Sequence, residues 1–196
     1  MREVELKSVL SDSAAALAAL RAAGAVPVMQ GRLNDTRYDT SHRELLARDH
    51  VLRLREFIGD PHPSASIDWK GPTEYADGYK VREEFSSTVG DALALASILA
   101  GLGYVVIREI HRDIWQFRLR GAVVRVERYP RMDALIEVEG EPAAIEAAIA
   151  ELKLPRAGFT ADRLTDFVAR FESRTGQRAA LCAREFAGDY RFAPNA

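Results

Sequence analysis

Thiol chemistry is almost missing from this chain: Cys182 is the only cysteine among 196 residues. An intramolecular disulfide is therefore impossible, and a zinc cluster built on several cysteines is excluded. Long apolar runs are missing too. No stretch approaches the roughly 18 uninterrupted apolar residues of a membrane-spanning helix. The opening Met-Arg-Glu-Val-Glu-Leu-Lys carries acids where a secretory leader needs apolar residues. A reducing, cytoplasmic setting without a membrane partner is the expectation. A basic excess is also absent, since 27 Lys and Arg stand against 29 Asp and Glu for a net charge of -2. Proteins that coat nucleic acid usually carry a clear positive balance, so no nucleic-acid partner is expected. No Gly-x-Gly-x-x-Gly or Gly-Lys-Ser/Thr loop opens a helix, which argues against a dinucleotide or P-loop fold. The histidines, His42, His50, His62 and His111, show no metal-ligand spacing and read as structural or surface residues. What remains is 47% hydrophobic and 29% charged, a composition that excludes disorder as the dominant state.

Two hydrophobic periods alternate along the chain. Period-two alternation predicts strands over 2–9, 25–38, 51–58, 65–70, 79–89, 104–119, 122–129 and 135–139. Helices are predicted over 14–23, 41–48, 91–102, 142–152 and 160–174. Ser11-Asp12-Ser13 offers the first cap, and Ser41 with Glu44 reads as a capping box for the second helix. Arg120-Gly121 makes a hairpin turn, and residues 182–196 form a tail without a clear pattern. About eight strands with few helices between them argue an α+β protein, an antiparallel sheet or barrel with helices outside. One domain over 1–196 is expected, its motifs in 2–140 and its C-terminal helices and tail in 141–196.

The polar faces of these strands are informative. Side chains at i and i+2 share a face, which groups Glu3/Glu5/Lys7, Arg53/Arg55, Asp68/Lys70, Arg82/Glu84/Ser86, Arg125/Glu127 and Glu137/Glu139. Nearly all are Arg, Lys or Glu, with little uncharged filler. Solvated sheet faces with cross-strand pairs would explain any one strand. Repetition over six strands points instead to a closed sheet whose apolar side lies under helices and whose charges line the inside. Buried charge needs compensation, and a polyanion with a divalent metal supplies it. Arginine matches phosphate oxygens, and carboxylates suit Mg²⁺ or Mn²⁺. Glu3 and Glu5 stand about 6.6 Å apart along one strand, so a second acidic pair such as Glu137/Glu139 on a facing wall is needed to complete a site.

These residues carry a family likeness. Glu3-Val4-Glu5-Leu6-Lys7 resembles the ExExK signature of the CYTH superfamily, the triphosphate tunnel metalloenzymes. Tyr38-Asp39-Thr40, Leu52-Arg53-Leu54-Arg55, Trp69-Lys70-Gly71-Pro72, Arg82-Glu83-Glu84, and Val126-Glu127 with Ile136-Glu137-Val138-Glu139 follow in the family's order. The resemblance implies an eight-stranded antiparallel β-barrel, the triphosphate tunnel, with helices packed outside. Ser86 stands where members often place a Glu, and Ile110 where a Lys precedes the Arg of the sixth tunnel strand, with Arg108 the candidate to compensate. Tyr38-Asp39-Thr40 reads equally as a helix-entry element. Trp69 and Trp115 fall on the faces opposite Lys70 and Arg112 and read as packing residues; Cys182 reads as inert.

On this likeness, Lys7, Arg53, Arg55, Lys70, Arg82, Arg112 and Arg125 are the phosphate-binding candidates. Glu3, Glu5, Glu127, Glu137 and Glu139 are the candidates for holding Mg²⁺ or Mn²⁺. Lys7 and Glu84 are the catalytic candidates. The expected partner is a small molecule bearing a triphosphate, and a homodimer is left open. Three functions fit: a metal-dependent triphosphatase, a class IV-type adenylyl cyclase, and a non-catalytic polyphosphate- or nucleotide-binding tunnel. Cyclase-like members carry a His-Phe element before ExExK, for which Met1 and Arg2 leave no room. Thiamine triphosphatases carry a Trp at the place of Val51. A general triphosphatase leads.

Overall fold

The computed structural model describes residues 2–192. Nine strands and six α-helices alternate through them. The strands are β1 (Arg2–Leu10), β2 (Val26–Thr40), β3 (Val51–Asp60), β4 (Ser64–Lys70), β5 (Glu74–Ala76), β6 (Tyr79–Thr88), β7 (Tyr104–Leu119), β8 (Ala122–Arg128) and β9 (Ala134–Glu139). The helices are α1 (Ser13–Ala22), α2 (Glu44–Ala47), α3 (Ala92–Gly101), α4 (Pro142–Glu151), α5 (Leu164–Thr175) and α6 (Ala183–Phe186).

All pairings are antiparallel, in the order β1-β9-β8-β7-β2-β3-β4-β6. A further pairing of β1 with β6 closes them into an eight-stranded barrel, as expected. β5 is an addition that the sequence pattern did not reveal: a three-residue strand hairpinned onto β6 across Asp77-Gly78. Both turn residues have positive φ (53° and 82°), the backbone that a tight two-residue hairpin requires.

Closure sorts the side chains. Leu6, Val124, Val126, Ile136 and Val138 point outward and are at most 1% exposed, because α1 and α4 lie over them. Asp12 starts α1 by accepting the amide N–H groups of Ala14 (2.9 Å) and Ala15 (3.0 Å). A smaller outer cluster, Tyr38, Leu54 and Leu99, forms under α3. Inside the barrel, Leu33, Phe57 and Ile114 pack together on the faces that also carry Asp35, Arg55 and Arg112. They make a small apolar cluster next to the charged stretch of the lumen.

Two local expectations change. Ser41 does not cap α2. Asp39, fully buried, accepts the N–H groups of Leu45 and Leu46 (both 2.9 Å), and Thr40 Oγ1 accepts from Glu44 N–H. Tyr38-Asp39-Thr40 is thus a helix-entry element. The last long helix starts at Leu164 rather than Thr160. β6 pairs with β1 only as far as Glu5, and Thr160 fills the edge beyond it by exchanging two backbone hydrogen bonds with Lys7 (2.9 and 2.8 Å). The final four residues of the 182–196 tail lie outside the described residues.

Candidate functional site

The lumen holds a cavity of about 640 Å³. Every site residue expected from the sequence lines it: Glu3, Glu5 and Lys7 from β1, Arg53 and Arg55 from β3, and Lys70 from β4. Arg82 and Glu84 from β6, Arg112 from β7, Arg125 and Glu127 from β8, and Glu137 and Glu139 from β9 complete the set. The i, i+2 rule places them correctly because one residue of slip in register would have turned each strand's charges outward. Among the lining residues ten Lys and Arg face eight Asp and Glu, so the lumen is net cationic although the whole chain is slightly acidic.

Cations and acids are not evenly mixed. One wall is a guanidinium clamp organised by Asp35, which is 1% exposed. Asp35 Oδ1 accepts from Arg55 Nε at 2.8 Å, and Oδ2 accepts from Arg55 Nη2 and Arg112 Nη1, both at 3.0 Å. Arg53 reaches the same carboxylate at 3.4 Å and donates to Asp68 at 2.8 Å. Burial alone raises a carboxyl's pKa, but Arg55, Arg112 and Arg53 overcome it and hold Asp35 well below the usual range. Burial works against the guanidinium of Arg112 too, yet Asp35 and Glu127 secure its charge. Sequence reasoning missed Asp35, an acid on β2 whose partners lie on β3 and β7.

The opposite wall is carboxylate-rich. At Glu5 three strands meet, with Lys80 and Glu139 as its register neighbours on either side. Glu5 pairs with Lys80 and, at 2.6 Å, with Lys7. Glu3 accepts from Lys70 at 2.6 Å. Glu137 takes Lys7 at 2.7 Å and Arg125 at 2.7 Å. Burial depresses an amine's pKa, but Glu137 and Glu5 outweigh that for Lys7 and keep it charged. Lys80 keeps a net depression from burial. The signal for Lys80 was present: it stands two residues before Arg82 on the same strand face. Glu139 has its pKa pushed up to about 7 by burial and by the nearby charges of Glu137, Glu3 and Glu5.

That elevation tests the donor set. Glu3, Glu5, Glu137 and Glu139 supply only carboxylate oxygens, the donors a hard divalent cation prefers, and the repulsion that Glu139 feels from the other three is what such a cation would relieve. Among the described residues no three of them stand in coordinating geometry, since lysine ammoniums are interleaved between them. Glu127 stands apart: one oxygen accepts from Arg112 (2.8 Å) and the other from Tyr129 (2.6 Å), within the clamp.

Glu84 bridges the walls, its oxygens 3.4 Å from Arg53 and 2.9 Å from Lys70. Arg82 lies at the rim with its guanidinium donating to the carbonyls of Gly71 and Asp49. Arg163, at the start of α5, also reaches the rim and pairs with Asp49 at 2.8 Å, a contribution from beyond the strands that sequence reasoning did not assign. Arg108 does not compensate for Ile110. It lies further along β7, opposite Arg37, and faces a second cavity under α5 rather than the clamp. Trp69 packs between His50 and Phe85, confirming its reading as a packing residue.

Comparison with protein families matches the CYTH domain over residues 1–155. No curated protein matches the sequence. Among solved structures, a putative adenylate cyclase from Vibrio parahaemolyticus is 21% identical, covers 85% of this chain and 97% of its own, and gives a TM-score of 0.71. A conserved hypothetical protein from Pyrococcus furiosus is 17% identical, with coverages of 85% and 99% and a TM-score of 0.68. A Hippeastrum protein, described as a putative adenylyl cyclase with a dominant triphosphatase activity, is 16% identical, with coverages of 88% and 96% and a TM-score of 0.63. At these identities the likeness is one of fold. CYTH proteins are mostly triphosphatases or cyclases and are metal-dependent in general. No described helix is long and apolar enough to cross a membrane.

Proposed function

The chain belongs to the CYTH family, and from that premise we propose that it hydrolyses a triphosphate, inorganic or organic, with the help of Mg²⁺ or Mn²⁺. The observation that carries this reading is the division of the lumen into a guanidinium clamp and a carboxylate wall, with Lys7 set among the glutamates of the latter. Arg53, Arg55 and Arg112 bind and align the phosphate oxygens, joined by Lys70 and Arg125. Glu3, Glu5, Glu137 and Glu139, with Glu127 in support, would hold the ion, and the chemistry it would supply is neutralisation of phosphate charge and polarisation of water. Lys7, kept charged by its two glutamates, stabilises charge on the transferring phosphoryl and does not act as a base. Glu84, set between Arg53 and Lys70, orients the attacking water. The Hippeastrum protein's dominant triphosphatase activity favours hydrolysis over cyclisation. A cytoplasmic setting is part of this reading, supported by the lone unpaired thiol.

The test is an assay of inorganic triphosphate, ATP and thiamine triphosphate with each metal, scoring phosphate and cyclic AMP, on wild type, Glu5→Gln and Arg55→Ala. Glu5→Gln should abolish turnover or shift it to far higher metal concentration while the protein stays folded. Arg55→Ala should chiefly weaken substrate binding, by about 1.5–3 kcal/mol for a charged hydrogen bond. Wild-type turnover and metal dependence in Glu5→Gln would refute the metal assignment. Cyclic AMP as the main product would refute hydrolysis.

A further inference from the structure

Two arginines stand outside the clamp and lack what the clamp arginines have. Arg37 on β2 and Arg108 on β7 are directly opposite in the antiparallel register, where like charges oppose one another. Arg37 Nε and Arg108 Nη1 are buried and have no hydrogen-bond partner among the described residues. The acids nearest Arg108 do not supply one: Glu172 accepts from Ala179 N–H at 2.9 Å, and Glu185 from Leu181 N–H at 2.6 Å. Asp35, nearest to Arg37, is saturated by Arg53, Arg55 and Arg112. Each of these opposed cations therefore keeps an orphaned donor, with Asp35 near Arg37 and Glu185 and Glu172 near Arg108 acting on them through charge but not through a hydrogen bond to it, and burial pulls the pKa of each below the usual arginine value.

Their place is specific. Arg37 lines the lumen, Arg108 lines a second cavity of about 530 Å³ between β7, α5 and the 176–190 segment, and Thr165 lines both. This second cavity is built largely by residues beyond 155, outside the span of the family match. We propose that the Arg37–Arg108 pair is a second oxyanion site, for a phosphate group, where the two cavities share Thr165. Two guanidiniums side by side present planar forks that match the oxygens of a tetrahedral oxyanion, and such a ligand would satisfy both orphaned donors and separate the like charges. The oxyanion is either free orthophosphate or the fourth phosphoryl of a chain longer than triphosphate. The site stands on its own geometry, and only the second source rests on the triphosphate reading.

The experiment is calorimetric titration with inorganic phosphate, in chelator and without turnover, of wild type, Arg108→Met and Arg108→Lys, with thermal melting alongside. In wild type an Arg108-dependent phosphate site should appear. Arg108→Met should weaken it at least tenfold while melting no lower than wild type without ligand, since it removes a buried donor that has no hydrogen-bond partner. Arg108→Lys should recover part of the affinity, and it serves as the test if the Met variant does not fold. Phosphate affinity unchanged in both variants would overturn the site. Titration with triphosphate and tetraphosphate separates the sources. A tenfold loss in Arg108→Met for tetraphosphate alone marks the fourth phosphoryl, whereas phosphate binding to triphosphate-loaded wild type marks the free ion. Failure of triphosphate to bind at all, with Arg108-dependent phosphate binding intact, would sink the proposed function and leave this site standing.

Discussion

The same strands present two unlike surfaces. On β1, β8 and β9 the outward residues Leu6, Val124, Val126, Ile136 and Val138 are sealed under α1 and α4, while Lys7, Arg125, Glu127 and Glu137, their immediate chain neighbours, point inward. Burial is nearly as deep on both sides, with Lys7 8% and Glu137 6% exposed. What differs is how each side is stabilised. Apolar burial adds roughly 25 cal/mol per Å² and needs only shape. Buried ion pairs gain little net, because desolvation offsets their attraction, and losing one member strands the other. The outer face therefore holds the barrel closed whatever the lumen contains. The inner face is in balance only as a complete set, and a balance with more cations than acids leaves it ready for an anion.

Breaking the outer face should have the largest effect. Ile136→Asp puts an unpaired carboxylate against Ile145 and Ile149 in a site with no counter-charge. The expected outcome is loss of the cooperative thermal transition, and a folded barrel would show that the helical side is not the part that holds it closed. Breaking the balance inside comes next. Asp35→Asn leaves Arg53, Arg55 and Arg112 without their shared carboxylate, at a cost of about 3–5 kcal/mol in chemical denaturation. Triphosphate, without metal, should restore more stability to this variant than to wild type, because the anion replaces the lost charge. Equal gains in both would mean that Asp35 is not what balances the clamp.

Much of this arrangement could be read from residue order, and the limits have physical causes. Strand alternation settles which side of its own strand a residue takes, so it alone puts Glu3, Glu5, Arg53, Arg55, Glu137 and Glu139 on the lumen side. Alternation says nothing about which residue stands across the gap. Asp35 acquires its role only when β2 is flanked by β3 and β7, and Lys80 only when β6 closes on β1 at Glu5. Arg108 cannot substitute for a missing clamp residue, because it stands four residues from Arg112 in unbroken register with β2, opposite Arg37 and beyond the level of Asp35. Arg163 and Thr165 reach the lumen from a helix, through a tertiary approach that no strand period encodes. The helix at 160–174 was placed four residues early because Thr160 answers to an open strand edge on β1 rather than to its own propensity.

The smallest effect tests the acidic wall by its protons. Burial and the charges of Glu137, Glu3 and Glu5 raise Glu139 to about 7, against 4.5 for the ordinary side chain. A folded-state pKa above the unfolded one means that the native state prefers the protonated form. Its contribution to stability is complete below about 4.5 and is lost as pH rises through about 7. Metal-free wild type should therefore lose stability between about pH 5 and pH 8 by on the order of 1–2 kcal/mol from this group, after allowance for its residual contact with solvent. Glu139→Gln is neutral throughout and should lack that part of the slope. The variant should match wild type at the acidic end and exceed it at the alkaline end, as read from denaturation midpoints across the range. Mg²⁺ should narrow the alkaline gap by stabilising the wild-type carboxylate. Parallel slopes for the two proteins would show that the four glutamates do not repel one another, and the case for a cation site among them would lose its electrostatic basis.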